Sequence, residues 1–258
     1  MLVTSQFVVL NLPKTGSSFV RQVLKEIHAR RRWRWGADRF LKELLLPREG
    51  ALAGGRDQHG TWSQVPVAYR HLPVVSVIRS PYDKLLSAYR YRWWADHPPV
   101  DRETLVRRLP NFPDLSLDEF ATLWDLAVER RLGGENPLGL GHQTVQFARF
   151  FFREPERAIR ALSDDYVDGG AFERDMADVT FLRQERLNEE LAGFLGRFSY
   201  SPAELELCRR HPRVNETADS ATDPRALWTP TALEHVRSRE RFLLRILGRR
   251  GLRYASPA

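Results

Sequence analysis

Short apolar runs alternate along the chain with longer stretches in which apolar residues recur every three or four positions, the pattern of strands set between helices. Three runs have strand length and no charge: 7–12, 74–78 and 179–182. Behind the first come Phe19, Val20, Val23, Leu24 and Ile27, a one-sided helical stripe. Ser116 with Glu119, and Ser201 with Glu204, have the spacing of capping boxes, and Pro202 follows the second cap. Thr229 and Pro230 open a final helix carrying Leu233, Val236, Phe242, Leu243 and Ile246, which ends at Gly248 or Gly251. This alternation predicts an α/β fold, one domain over 1–258, with a mostly parallel central sheet flanked by helices. Residues 95–142 break the pattern. They are rich in Pro and Gly, show one clear helix near 116–131, and are expected to form a substrate-covering insertion over the carboxyl edge of the sheet.

Composition narrows the class. With 258 residues, 42% of them hydrophobic and 28% charged, the chain can bury a sizeable core and is not a disordered segment. The net charge of +7 rests on arginine, which supplies 36 of the 40 basic residues. That excess suits an anionic ligand, and a well-solvated surface accounts for it equally well. Cys208 stands alone and cannot form an intrachain disulfide, which fits a reducing compartment. No leader and no run near the ~20 apolar residues of a membrane span is present, so the expected location is cytoplasmic.

The chemistry is concentrated at two places. Between the first strand and its helix lie Pro13, Lys14, Thr15, Gly16, Ser17, Ser18 and Phe19. A tight strand–loop–helix with Gly and hydroxyl residues is a P-loop-like cradle, because free N–H groups and the positive helix end favour an anion. Lys14 adds a full charge. The second place is the strand at 74–78, which runs into Arg79 and then, past Pro81, into a helix with Leu85, Leu86, Tyr89 and Trp93 on one face. Ser87 falls on the other face. Arg79 and Ser87 would grip one oxyanion together, the Arg fork giving paired donors; taken alone, a helical Ser is more often a polar surface position. A Walker loop would carry its Lys after the last Gly, whereas Lys14 precedes Gly16, which sets the chain apart from ordinary P-loop kinases.

These two elements resemble the donor-binding motifs of PAPS-dependent sulfotransferases, in the family's order and near its separation. The Pro13–Phe19 loop is similar to the 5′-phosphosulfate loop, and the Arg79, Pro81, Ser87 and Tyr89 series to the 3′-phosphate signature. The resemblance continues faintly at Phe181–Leu187, where Glu185 and Leu187 match a Glu-x-Leu element, and at Asn215 ahead of the last helix. It implies PAPS (3′-phosphoadenosine 5′-phosphosulfate) as donor and adenosine 3′,5′-bisphosphate as product, with no metal. Lys14, Thr15, Gly16, Ser17, Ser18 and Phe19 would hold the 5′-phosphate, Arg79 and Ser87 the 3′-phosphate. Gln184 stands where cytosolic members carry an adenine-stacking Tyr, so no adenine contact is implied. A soluble bacterial or carbohydrate-type branch is the nearest fit.

A hydroxyl acceptor needs a base, and His is the usual choice. His59 is the first candidate, between the first helix and the strand leading to Arg79, where many of these enzymes place a substrate-facing His. Asp57 would orient it or serve an amine acceptor. His142 and Trp62 are candidate acceptor contacts, for a small molecule or a carbohydrate. His28, His71, His97, His211 and His235 read as surface or loop positions. Trp93 and Trp124 read as core, with Trp62, Trp93 and Trp94 near the expected mouth. Trp33 and Trp35, inside the basic run 30–35, would suit a sugar, a polycyclic acceptor or single-stranded nucleic acid. A P-loop-like kinase and a basic nucleotide- or nucleic-acid-binding module are the alternatives, ranked below the sulfotransferase.

Overall fold

The computed structural model describes residues 1–31, 40–47, 56–212, 214 and 224–257. Their strands are β1 (Leu2–Thr4), β2 (Val8–Leu10), β3 (Leu41–Glu43), β4 (Leu46–Pro47), β5 (Arg56–Asp57), β6 (Val74–Ile78) and β7 (Val179–Arg183). The helices up to residue 151 are α1 (Ser17–Arg31), α2 (Pro81–Tyr91), α3 (Trp93–Asp96), α4 (Arg102–Arg108), α5 (Leu117–Leu132) and α6 (His142–Phe151). Beyond it come α7 (Pro155–Ala161), α8 (Asp164–Asp168), α9 (Ala171–Asp175), α10 (Leu187–Leu195), α11 (Pro202–Arg210), α12 (Pro230–Arg239) and α13 (Arg241–Arg249). The fold is α/β. Two compact units compose it: Met1–Arg79 with Ala177–Glu216, and Ser80–Met176 with Thr217–Ala258.

The first unit holds a five-stranded sheet in the order β3-β1-β2-β6-β7. It is mixed rather than mostly parallel: β2, β6 and β7 run parallel, while β1 pairs antiparallel with both β2 and β3. The antiparallel edge starts at Thr4. Its hydroxyl accepts from the N–H groups of Gln6 and Phe7 and donates to the Phe7 carbonyl, which turns β1 straight back into β2. All five residues of β6 are buried, as a parallel strand covered on both faces requires. Val20, Val23, Leu24 and Ile27 of α1 and Leu191, Phe194 and Leu195 of α10 share a core with Phe7, Val9, Val75, Val77 and Leu182. Each such side chain contributes about 1.5–3 kcal/mol on burial.

At the C-terminal end of α1, Arg31 Nε and Nη2 donate to the two carboxylate oxygens of Glu204 at 2.7 and 2.9 Å. The guanidinium carbon of Arg31 stands 4.1 Å from the centre of the Tyr200 ring, whose hydroxyl lies 2.9 Å from His28 Nε2. His28 is therefore a buried partner of Tyr200, not a surface residue. His211 likewise packs, edge-on to Phe19 at 5.3 Å. His71 and His97 are exposed as expected.

The second unit is helical. Tyr82, Leu85 and Leu86 of α2 pack with Phe120, Leu123 and Leu126 of α5 and Val236 of α12. The capping boxes at Ser116 and Ser201 open α5 here and α11 in the first unit. Residues 95–142 carry α4 in addition to the expected α5. The final helix is two helices. Glu240 sits at the break, buried, and its carboxylate accepts from the N–H groups of Gln143 and Thr144 at 2.9 and 2.7 Å and from the Thr144 hydroxyl at 2.6 Å. A carboxylate here complements the positive end of α6. Burial pushes the Glu240 carboxyl upward while those hydrogen bonds and the Lys84 charge oppose the shift. His235 is partly buried against Asp125, and burial together with Arg239 brings its pKa down to about 4. Trp124 packs on the core, but Trp93 is 42% exposed and Trp94 takes the buried place. No helix among the described residues is long and apolar enough to cross a membrane.

Candidate functional site

Parallel strands present their carboxyl ends at one edge of a sheet, and β2 and β6 are neighbours in register, Leu10 beside Ser76. The Ser76 hydroxyl donates to the Leu10 carbonyl at 2.7 Å and ties the two strands near those ends. Four residues past Leu10 comes Lys14, and one past Ile78 comes Arg79. Arg79 Nη1 lies 3.5 Å from the Lys14 carbonyl, at the outer limit of a hydrogen bond. Burial first, and the Arg79 charge second, bring the Lys14 ammonium down to about 8. Two like charges are thus held together where the fold itself disfavours one of them, an arrangement that an anion would reverse.

The loop between β2 and α1 is wound by two left-handed residues, Lys14 at φ 64° and Gly16 at φ 94°. Left-handed residues alternating with ordinary ones turn successive N–H groups into one concave face. Only glycine meets the demand at position 16: a Cβ there would stand 3.1 Å from Leu187 Cδ2 and 3.3 Å from Gln184 Cγ. Thr15 is buried, and its hydroxyl donates to the Leu12 carbonyl at 2.8 Å, so this side chain braces the loop from within. The Phe19 N–H closes onto the Gly16 carbonyl at 3.0 Å and its ring enters the core. Ser17 and Ser18 open α1, where the first N–H groups have no intrahelical acceptor.

His59 stands at the same strand end. Its Nδ1 lies 2.7 Å from the carbonyl of Asn11, the residue that follows β2. A carbonyl only accepts, so Nδ1 carries the proton and Nε2 is the basic nitrogen. Asn11 is fully buried, and its Nδ2 donates to the Gln58 carbonyl at 3.2 Å. Trp62 follows in the 3₁₀ turn Trp62–Gln64, partly buried. In the first unit, then, Lys14, Gly16, Arg79 and His59 are organised by the ends of β2 and β6.

Ser87 and His142 belong to the second unit. Ser87 is half-buried on α2. His142 opens α6 and stacks on Trp124 with ring centres 3.9 Å apart. Burial, then the Lys84 and Arg131 charges, hold its pKa well below the ordinary value, so it stays neutral. Trp33, Trp35 and Asn215 lie outside the described residues, and so does the side chain of Asp57.

Asn11 and Ser76 were given no role from the sequence because each acts through partners distant in the chain, while Gln184 and Leu187, noted for the resemblance, come to lie beside Gly16. The signal closest to hand was the polar Asn11 within an apolar run. Among the described residues no group of three or more His, Cys, Asp or Glu side chains is arranged to hold a metal ion. No protein-family model, no curated protein and no solved structure matches the chain.

Proposed function

We propose that this protein is a sulfotransferase that takes PAPS as donor and transfers its sulfuryl group to a hydroxyl or amine. The observation that carries the reading is the pairing of Lys14 with Arg79 past the ends of adjacent parallel strands, in a loop wound left-handed at Lys14 and Gly16. A doubly phosphorylated donor fits such a pair of cations, and the N–H groups of the loop and the start of α1 favour a phosphate. The donor supplies the activated sulfur. The chain's residues do the rest.

Lys14 is suited to the bridging oxygen between sulfur and the 5′-phosphate, where charge grows as that bond breaks; a preorganised cation acts most strongly at that point. The N–H groups of residues 15–18 would bind the 5′-phosphate, with Ser17 and Ser18 adding hydroxyls. Arg79 and Ser87 are the residues the resemblance assigns to the 3′-phosphate. His59 Nε2 would take the acceptor's proton as oxygen or nitrogen bonds to sulfur, and adenosine 3′,5′-bisphosphate leaves.

Calorimetric titration with that bisphosphate, with and without magnesium, tests the donor half. Micromolar binding independent of magnesium is expected, with Lys14→Ala and Arg79→Ala each weakening it by about 10- to 100-fold through loss of a charged hydrogen bond. Absence of binding at millimolar bisphosphate, or preference for ATP with magnesium, overturns the reading in favour of a kinase. Transfer of labelled sulfate from PAPS to a panel of phenols, sugars and amines tests the acceptor half.

A further inference from the structure

Asn11 does not earn its place by stabilising the core. It is fully buried among apolar neighbours in sequence, and its Oδ1 meets no protein donor among the described residues. A buried acceptor left unmet opposes folding, and a native structure keeps one only where another demand fixes it. The Asn11 Nδ2 donates at 3.2 Å to the Gln58 carbonyl, which also accepts from the Met1 amino group at 2.5 Å. The same residue's main-chain carbonyl receives His59 Nδ1 at 2.7 Å.

We propose that Asn11 is the positioning residue for His59. Its side chain clamps the carbonyl just before the histidine, its own carbonyl clamps the ring, and the two contacts together select the Nδ1–H tautomer. The carbonyl fixes the proton only while the backbone at 58–59 stays within reach, and the amide holds it there together with the Met1 amino group. The Thr61 N–H, which donates to Gln64 Oε1 at 3.1 Å, steadies the far side of the same loop. Because Asn11 lies three residues before Lys14, the clamp also sets the imidazole in register with the left-handed loop. The role of His59 as a base rests on the sulfotransferase reading; its tautomer does not.

Nitrogen-15 NMR of the histidine side chains reads that tautomer directly, without an acceptor or turnover. In the wild-type protein His59 is expected as the Nδ1–H form, the minor tautomer of free imidazole. Asn11→Ala removes the clamp. Asn11→Asp keeps the volume and removes the donor at neutral pH, and regains an O–H toward Gln58 when its carboxyl is protonated. Both variants should lose the Nδ1–H form near neutral pH while binding adenosine 3′,5′-bisphosphate within about threefold of wild type, well under the loss of one charged contact. An Nε2–H tautomer in the wild type overturns the proposal, and this needs no variant to fold. So does an unchanged tautomer in either variant. If the bisphosphate fails to bind wild type while the tautomer responds as expected, the donor assignment falls and the clamp stands.

Discussion

At its C-terminal end α1 holds Arg31 against Glu204, opposite charges joined by two hydrogen bonds and covered by Tyr200. Just before its N-terminal end Lys14 lies beside Arg79, like charges half-buried on a left-handed backbone. One helix thus joins an end where opposite charges pair to an end where burial and a neighbouring like charge disfavour a cation. Arg31 is the more deeply buried, whereas Lys14 and Arg79 are half-buried. What separates them further is sign. Opposite charges make a brace, and like charges brought together are the arrangement that the proposed donor would relieve.

The largest expected effect lies at the braced end. Glu204→Gln leaves Arg31, whose side chain is only 3% exposed, without its carboxylate, and should lower stability by about 3 kcal/mol, read as a shift of the urea midpoint. An unchanged midpoint would erase the contrast. The same pair dictates the acid limb. The Arg31 hydrogen bonds hold the Glu204 carboxyl at about 2 against an ordinary 4.5. Stability from this group is therefore complete above pH 4.5 and lost as pH falls toward 2. A melting-temperature profile between pH 5 and 2 should be flatter in Glu204→Gln than in wild type.

At the other end the sign turns over. Lys14 titrates at about 8 when folded against 10.5 when exposed, so its charged form opposes folding below pH 8, and stability rises with pH between those values. Lys14→Met should stabilise the free protein at pH 7 by about 1 kcal/mol, once solvent screening of a half-exposed group is allowed for, and yet, on the sulfotransferase reading, weaken bisphosphate binding by about 10- to 100-fold. A variant less stable than wild type would show that Lys14 is a brace after all. For the same reason wild-type affinity for the bisphosphate should fall as pH passes about 8, an effect absent in Lys14→Met. The smallest effect concerns Cys208, one turn beyond Glu204 on α11. Burial pushes its thiol up to about 12, and a native-state maleimide reaction should be undetectable over hours.

Much of this contrast was legible in the chain. The uncharged run at 74–78 became β6, and the capping residues at 116, 201 and 229 opened α5, α11 and α12, because caps and buried strands act locally. The motif order brought Lys14 and Arg79 to neighbouring strand ends. Misreadings arose where a distant partner decided. Arg92 adopts φ 53°, ends α2 and resets the helical phase, so Trp94 rather than Trp93 enters the core. Glu240 leaves a helical register to cap α6, almost a hundred residues earlier in the chain. His28 is drawn inward by Tyr200. The three-residue strands β1 and β3 are too short to carry a pattern of their own.

Lys14 adopts a backbone shape that glycine would occupy with less strain, at a cost of about 1 kcal/mol for a side chain there. Random substitution at this position would therefore tend toward glycine or asparagine, each more comfortable than the residue present. A library screened only for folding should drift that way within a few rounds, whereas one screened for retention on an immobilised polyanion should return lysine.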